Sequence, residues 1–284
     1  MRITRRNFLK GSLATLFLAG SGIPVYSSTK TKKNLVVVML RGGMDALCAV
    51  PVIGDKNFEK RRKHLILDNT IKLNSDFALH PVLKSFHELW KEKKGTVVHA
   101  TNIPYTERSH FDGQNLMESG GKIPYKVKTG WLGRGMKVAG LKQEGLALAL
   151  PMPLLLRGVP QNNNYFPTKG KLPTDKVLSL LKDVYKDSSE DELIGMLEII
   201  KSRPKERSYA ADDLYSLANE AGTLMKEPDG PRVAVFEVGG FDTHAAQGGV
   251  HGTHSDCLKD MDLIFATLKK RLKEEFDNTL IVTL

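Results

Sequence analysis

Apolar residues along the chain fall into short runs whose spacing alternates between that of a buried strand and that of a helix. Residues 35–40 have the sequence Leu-Val-Val-Val-Met-Leu. This continuous run predicts a strand buried on both faces, as in the centre of a parallel sheet. Between Pro81 and Gly95 apolar residues recur at helical spacing, and residues 96–101 predict a second buried strand. The first part of the chain therefore predicts a strand, a helix and a strand in succession.

The later part of the chain repeats this alternation after a helical interval. Helical patterns occupy residues 174–186, 190–202 and 206–226. We interpret the interval of about 174–226 as a helical insertion or cap. The pattern then predicts a strand, a helix and a last strand, at 232–238, 253–276 and 279–284. Strands that alternate with helices are typical of a layered α/β sheet with right-handed crossovers, so we expect an α/β domain over residues 29–284.

Composition narrows the classes of protein to which the chain can belong. With 284 residues, of which 41% are hydrophobic and 26% charged, the chain can bury a sizeable core. The formal net charge is +10, but residues 1–28 hold four basic residues and no acid. Aromatic residues make up 7% of the chain and the lysines are scattered, which argues against nucleic acid as a partner. Only Cys48 and Cys257 are cysteines, which excludes a disulfide framework and a cysteine-rich zinc site.

Residues 1–28 have the layout of an export signal: a basic start, an apolar stretch broken by Gly20 and Gly22, and small polar residues at the end. The stretch is shorter than the roughly 20 apolar residues of a membrane span, so we expect a cleaved signal and no permanent membrane span. Residues 4–10, Thr-Arg-Arg-Asn-Phe-Leu-Lys, resemble the twin-arginine export signal. The resemblance implies a periplasmic or extracellular protein with the twin-arginine export machinery as a partner. The alternative is a chance basic start.

The first candidate for chemistry follows the first predicted strand. Ligands of open α/β sheets bind beyond the carboxyl ends of the strands, so the residues after each apolar run are the ones to consider. Residues 41–45 are Arg-Gly-Gly-Met-Asp. A carboxylate at this position suits a hard divalent metal ion or a site that handles phosphate. The alternative for Asp45 is an ordinary Gly-Gly turn.

A second polar loop follows the strand predicted at 96–101. Residues 108–112 are Arg-Ser-His-Phe-Asp. The hydroxyl, imidazole and guanidinium groups of this segment provide a candidate nucleophile, a candidate metal ligand and a candidate anion clamp. The alternative is a structural role: a helix begins here, with Ser109 as the N-cap and Asp112 in the first turn.

A third polar loop follows the strand predicted at 232–238. Asp242 and His244 lie in this loop, and His251 and His254 come shortly after. An imidazole together with a carboxylate is a common donor set for zinc, manganese or iron. We expect Asp242 and His244 to be ligands, whereas His251 and His254 are either further ligands or polar residues at the start of the next helix.

Five motifs run in order through nearly all of the chain that follows the signal. They are Leu-Val-Val-Val-Met-Leu-Arg-Gly-Gly-Met-Asp-Ala-Leu at 35–47, Leu-His-Pro at 79–81, Glu-Arg-Ser-His-Phe-Asp at 107–112, Thr-Gly-Trp-Leu-Gly-Arg at 129–134, and Gly-Gly-Phe-Asp-Thr-His at 239–244 with Gln-Gly at 247–248. These motifs resemble the domain-of-unknown-function family 1501, a set of exported proteins in the alkaline phosphatase and sulfatase superfamily. The resemblance implies a doubly wound, mostly parallel α/β sheet of alkaline phosphatase-like type.

The superfamily resemblance also implies one or two divalent metal ions that activate a hydroxyl nucleophile and stabilise a departing oxyanion. Zinc, manganese, calcium and magnesium are the candidate ions. Carried over to this chain, the metal ligands are Asp45 after the first strand and Asp242 with His244 after the later one. The superfamily often places three residues between such an aspartate and histidine, whereas one residue separates Asp242 from His244.

The same resemblance assigns catalytic roles within the second polar loop. Ser109 is the candidate nucleophile, His110 is its neighbour in the site, and Arg108 binds the ester anion bidentately. The expected substrates are phosphate or sulfate esters on a small molecule or on a surface polymer.

One departure from the family bears on activity. Family members continue after the strand that residues 278–284 resemble, with Ser-Glu-Phe-Gly-Arg-Thr and Gly-Thr-Asp-His-Gly segments that this sequence lacks. We therefore expect the C-terminal part of the domain to be missing, through truncation, an incomplete gene product or a degenerate paralogue. Two functions stay open: a metal-dependent hydrolase in the full-length form, and a non-catalytic exported binding or assembly protein that retains the hydrolase fold.

Overall fold

The computed structural model describes residues 33–141, 144–149, 151–159, 162–165, 174–185 and 213–284. The expected signal at 1–28 and the expected helix at 190–202 lie outside these residues. The chain divides into two compact units, one comprising Met1–Phe166 with Leu214–Leu284 and the other comprising Pro167–Asp213.

The described part of the first unit alternates strands with helices, as the apolar pattern predicts. Its strands are β1 (Asn34–Leu40), β2 (Ile71–Lys72), β3 (Ala78–Leu79), β4 (Gly145–Leu148), β5 (Asn163–Asn164), β6 (Val233–Val238) and β7 (Thr279–Thr283). Its helices are α1 (Ala46–Ala49), α2 (Lys56–Arg62), α3 (Lys84–Lys91), α4 (His110–Ser119), α5 (Trp131–Val138), α7 (Leu214–Lys226) and α8 (Thr253–Leu272). Short 3-10 turns cover Leu154–Leu156 and Lys273–Asn278.

Five of the strands form one sheet in the order β5-β4-β6-β1-β7, and each neighbouring pair is parallel. The predicted strands at 35–40, 232–238 and 279–284 are confirmed as β1, β6 and β7. Because the strands are parallel, their carboxyl ends meet at one edge of the sheet. That edge carries the loops that follow β1 and β6, where the sequence places two of the three candidate loops.

The alternation of side chains along β1 explains why helices cover both faces of the sheet. Val36 and Val38 belong to a core cluster that includes buried residues of α7 and α8. Val37 and Met39 point to the other face, where they join buried residues of α5 and of the turn at Leu154–Leu156. A strand buried on both faces needs a cover on each side. The mostly parallel sheet with two helical layers is consistent with a doubly wound α/β fold.

The strand predicted at 96–101 is not present. This segment has no regular secondary structure, and the side chain of Val98 is 63% exposed. The ring of His99 stacks on Phe77 with a centroid distance of 3.9 Å. Only Val97 and Val98 are apolar in this segment apart from Ala100, so it presents too short an apolar surface to hold a place in the sheet.

The described part of the second unit contains helix α6 (Asp175–Tyr185), which confirms the helical pattern at 174–186. Helix α7 belongs to the first unit, where it packs against α8. The helical interval of the sequence is thus divided between the two units.

Two further expectations concern disulfide bonds and membrane spans. Cys48 and Cys257 are both buried and unbridged. Among the helices that the structure describes, none combines the length and the apolar character that a membrane span requires. Packing therefore stabilises the described fold without a covalent crosslink.

Candidate functional site

Asp242 lies between two imidazole rings at the carboxyl edge of the sheet. Its Oδ1 atom is 3.1 Å from Nε2 of His244 and 4.0 Å from Nδ1 of His110. Asp242 and His244 lie in the loop after β6, whereas His110 is the first residue of α4. The fold therefore brings together two of the three candidate loops, which lie far apart in sequence.

The loop after β6 is held in a tight turn that presents His244 to solvent. The amide of Thr243 donates to the carbonyl oxygen of Phe241 at 2.9 Å, and the amide of Ala246 donates to Thr243 at 2.8 Å. His244 has a φ of 46°, in the left-handed region that side chains other than glycine adopt infrequently. Unfavourable backbone conformations of this kind cluster at functional sites, where the surrounding structure holds them in place. The turn thus fixes an exposed imidazole beside Asp242.

A carboxylate next to an imidazole orients the ring and stabilises its protonated form. The His110 ring also packs on Phe111 with a centroid distance of 4.0 Å. His110 and Asp242 thus lie near each other at this edge, at a distance of 4.0 Å that is longer than a hydrogen bond.

Asp45 has other partners. It is the N-cap of α1 and accepts a hydrogen bond from the amide of Leu47 at 3.2 Å. Its Oδ2 atom accepts hydrogen bonds from Arg62 and, at 2.9 Å, from Nε2 of Gln247. Burial raises the pKa of Asp45, but the hydrogen bonds from Gln247 and Arg62 and the charge of Arg62 outweigh it, so the pKa lies below its ordinary value. Asp45 is thus an ionised carboxylate that is already neutralised by an arginine.

Ser109 caps a helix, which is the alternative to a nucleophilic role that the sequence predicts. It is the N-cap of α4, and its Oγ atom accepts a hydrogen bond from the amide of Asp112 at 3.3 Å. The hydroxyl proton is not used by that bond, so it stays available to a further acceptor. Arg108 is exposed just before the helix and has no acidic partner among the described residues. No hydrogen bond within the described part of the chain joins Ser109 or Asp45 to Asp242.

Two buried histidines lie behind this edge. His254 is 1% exposed in the first turn of α8, and neither ring nitrogen has a hydrogen-bond partner among the described residues. Its ring meets Phe241 edge-on at a centroid distance of 5.4 Å. Burial lowers the pKa of His254, against the opposing effect of the Asp45 charge. His254 is therefore a neutral core residue, whereas His251 is exposed.

His80 is the second buried histidine, and it has hydrogen bonds. Its Nδ1 atom accepts from the amide of Val82 at 3.4 Å, and its Nε2 atom lies 3.4 Å from the carbonyl oxygen of Gly249. Gly249 belongs to the segment between the site loop and α8. Through His80, the Leu-His-Pro motif at 79–81 thus contacts the segment that joins the loop after β6 to α8. The motif is visible in the sequence, but its partner is not.

Arg41 was not predicted as a site residue, yet it links three elements of the edge. Its Nη1 atom donates to Glu118 at 2.6 Å and to Gln114 at 3.3 Å, and its Nε atom donates to Glu237 at 3.1 Å. Glu118 also accepts a hydrogen bond from the amide of Leu155 at 2.9 Å. Arg41 follows β1, Glu237 lies in β6, and Gln114 and Glu118 lie in α4. The guanidinium therefore fixes the helix that carries His110 to the two strands whose loops carry Asp45 and Asp242.

The described residues do not form a metal site as they stand. No group of three or more His, Cys, Asp or Glu side chains within the described ranges is arranged to hold a metal ion. Asp242 and His244 are adjacent, but Asp45 is bonded to Arg62 and Gln247 instead. The three expected ligands are thus divided between two clusters.

Comparisons with protein-family models, curated proteins and solved structures gave no match for this chain. The resemblance to the phosphatase and sulfatase superfamily therefore stays a prediction from the motifs.

Proposed function

We propose that this protein is an exported, metal-dependent hydrolase of phosphate or sulfate esters with an alkaline phosphatase-like fold. The observation that supports the proposal is the placement of Asp242 between His110 and His244 at the carboxyl edge of a parallel sheet. Open α/β sheets bind their ligands at this edge. The export part of the proposal depends on the twin-arginine motif at residues 4–10.

The start of α4 has the groups that an ester anion needs. Helix N-termini favour anions because their first amide groups point outward without intrahelical partners. In the proposed reaction Arg108 binds the anionic ester oxygens and Ser109 provides the hydroxyl that attacks phosphorus or sulfur. His110, beside Asp242, accepts the hydroxyl proton and gives it to the leaving alcohol, which leaves the phosphate or sulfate on Ser109. A water molecule that gives a proton to His110 then attacks this ester and releases the phosphate or sulfate, and His110 returns the proton to the serine oxygen.

A bound divalent ion would increase the acidity of the hydroxyl and stabilise the departing oxyanion. Asp242 and His244 have donor atoms that suit zinc or manganese, and carboxylates also suit calcium or magnesium. Asp45 does not fit this role while Arg62 neutralises it. Asp242 and His244 are therefore the two described donors for such an ion.

A specific observation favours a second candidate, a non-catalytic exported protein that binds a ligand or assembles with a partner. Asp45 is paired with Arg62, and the Ser109 hydroxyl caps α4. Two of the expected reactive groups thus have structural partners. In this alternative the edge of the sheet binds an anion through Arg108 without turnover.

The two candidates differ in turnover and in metal content. Protein isolated from the exported fraction is assayed with para-nitrophenyl phosphate and para-nitrophenyl sulfate, each with zinc, manganese, calcium or magnesium. The metal content of the same preparation is measured by mass spectrometry. The hydrolase proposal expects release of para-nitrophenol that depends on one of the ions and stops on chelation. Metal-free protein without turnover on either ester would establish the non-catalytic alternative.

A further inference from the structure

Exposed aromatic side chains continue from the candidate site along α4. Phe111 is 66% exposed, and its ring contacts that of His110. Tyr125, in the segment that follows α4, is 50% exposed. Large exposed aromatic groups beside a site are characteristic of recognition surfaces, because burying them against a ligand is favourable.

Tyr125 is held rigidly beside the first turns of α4. Its amide donates to Oδ1 of Asn115 at 2.7 Å, and its φ is 60°. Its hydroxyl bonds to Asp112, which raises the pKa of Tyr125. The hydroxyl of Tyr105 donates to the same carboxylate at 3.3 Å. Both tyrosines thus lie beside the same acid.

Basic side chains flank these rings. Lys122, Lys126 and Lys128 are exposed on the segment that contains Tyr125, and Arg108 is exposed at the other end of α4. Within the described part of the chain, none of these four cations has an ion pair or a side-chain hydrogen bond. The cations beside α4 are therefore available to an anionic partner.

We call this surface the α4 rim. It consists of the aromatic residues, the acid between them and the unpaired cations, namely Tyr105, Arg108, Phe111, Asp112, Lys122, Tyr125, Lys126 and Lys128. Helix α4 has ten residues and is therefore about 15 Å long. The rim thus extends well beyond the space that a single small ester would occupy at His110, and its length suits an extended polymer.

We propose that the α4 rim binds a sulfated polysaccharide, with sugar rings packed on Phe111 and Tyr125 and sulfate groups paired with Lys122, Lys126 and Lys128. Sugar rings have apolar faces that pack on aromatic rings, and they have hydroxyl groups that donate to carboxylates. The carboxylate of Asp112 beside the tyrosines accepts such hydroxyls, which the backbone of single-stranded DNA lacks. This difference favours a sulfated sugar over single-stranded DNA, which would use the same aromatic and basic groups.

The proposal deepens the proposed function, since a sulfate ester of such a polymer would reach His110 and Asp242. Binding itself does not require turnover, so the two proposals can fail separately. Hydrolysis of para-nitrophenyl esters without polysaccharide binding would overturn the proposal that the α4 rim binds a polysaccharide, but it would support the proposed hydrolase activity. Polysaccharide binding without hydrolysis would support the rim and favour the non-catalytic alternative.

The test measures the affinity of the full chain for four probes by isothermal titration calorimetry. The probes are dextran sulfate, uncharged dextran, linear polyphosphate and single-stranded DNA. We expect dextran sulfate to bind most tightly, because it alone combines sugar rings with the sulfate groups. Equal affinity for polyphosphate would show that the sugar rings do not contribute to binding and would overturn the proposal. Tighter binding of DNA would show that the partner is a nucleic acid and not a polysaccharide.

Two variants locate the binding on the rim. Phe111→Ala with Tyr125→Ala is expected to weaken dextran sulfate binding by about tenfold and to abolish its advantage over polyphosphate. Lys122→Ala with Lys126→Ala and Lys128→Ala is expected to weaken both anionic polymers and to reduce the salt dependence of binding.

The charge-matched control is Lys226→Ala with Lys270→Ala and Lys273→Ala. These lysines are exposed at the ends of α7 and α8, at the amino edge of the sheet. Their removal is expected to leave affinity unchanged. Thermal melting by circular dichroism confirms that each variant is folded. Equal losses in both lysine variants would show a general charge effect and overturn the proposal.

Discussion

Gly42 packs directly against the backbone of Asp242. A Cβ atom at Gly42 would lie 2.4 Å from the backbone nitrogen of Asp242 and 3.0 Å from its Cβ atom. The φ of Gly42 is 112°, a conformation that disfavours any other residue. The amide of Phe241 also donates to the carbonyl oxygen of Arg41 at 3.2 Å. The loop after β1 therefore determines where Asp242 lies, and so where it meets His110 and His244.

This contact predicts that Gly42→Ala displaces the loop after β6. We expect a loss of about 2–4 kcal/mol in the free energy of unfolding, because the added methyl group meets backbone atoms that cannot rotate away. Urea denaturation measures the loss. Gly43→Ala is the matched control, since Gly43 also has a positive φ of 88° but has free space around its Cβ position. Equal losses in the two variants would attribute the effect to backbone conformation alone.

Arg41→Met is expected to destabilise the protein by about 3 kcal/mol, because Glu118 and Glu237 would keep their charges without a partner. The side chain of Glu118 is 6% exposed, so water cannot replace the guanidinium there. Chemical denaturation measures the change. Lys94→Met removes an exposed ion pair to Asp277 and is expected to have a much smaller effect on the free energy of unfolding. A small effect of Arg41→Met, similar to the control, would show that the network does not hold α4 to the sheet.

His254→Leu is expected to increase the free energy of unfolding by about 1 kcal/mol. The substitution replaces two buried ring nitrogens that lack partners among the described residues with an apolar side chain, which packs beside Phe241. His80→Leu is the control, and it is expected to be destabilising because His80 has hydrogen bonds. Both values come from urea denaturation at neutral pH. A marked loss of stability in His254→Leu would show that the ring has a bonded partner in solution.

Stability is expected to fall as the pH drops below the ordinary histidine value of 6.5. Burial lowers the pKa of His80 and of His254, so the unfolded chain takes up protons that the folded chain does not. Above that pH both states are neutral at these residues and the penalty vanishes. Asp45 has a lowered pKa and loses its contribution only at more acidic pH, as the pH falls through its folded pKa.

Urea denaturation over a pH series measures this dependence. The double variant His80→Leu with His254→Leu is expected to flatten the curve between pH 7 and pH 5. His87→Leu, at a partly exposed position of α3, is the control and is expected to keep the slope. An unchanged slope in the double variant would assign the acid sensitivity to other groups.

The strands of the sheet could be predicted where one local pattern determines them. β1 and β6 are continuous apolar runs, and burial on both faces follows from that pattern without knowledge of their neighbours. The segment at 96–101 has a similar but shorter run and lies outside the sheet. Its position depends on competition with neighbouring strands, which a local pattern does not contain.

The candidate site could be predicted only at the level of loops. His110 was placed after a strand at 96–101 that is not present, yet it lies 4.0 Å from Asp242, which follows β6. The pairing of Asp45 with Arg62 and Gln247 joins residues that have no periodic relationship in the sequence. The role of Arg41 likewise depends on the parallel register that places Met39 beside Glu237. Such partners are set by tertiary contacts.

The most direct test of the account is the rate of para-nitrophenyl ester hydrolysis by the exported protein and its Asp242→Asn variant. The account predicts that Asp242→Asn lowers kcat/KM by about a hundredfold or more, because His110 and His244 lose the carboxylate between them. Asp277→Asn, an exposed acid at the opposite edge of the sheet, is the matched control and is expected to retain the wild-type rate. Undiminished hydrolysis by Asp242→Asn, or no hydrolysis by the wild-type protein, would contradict the account.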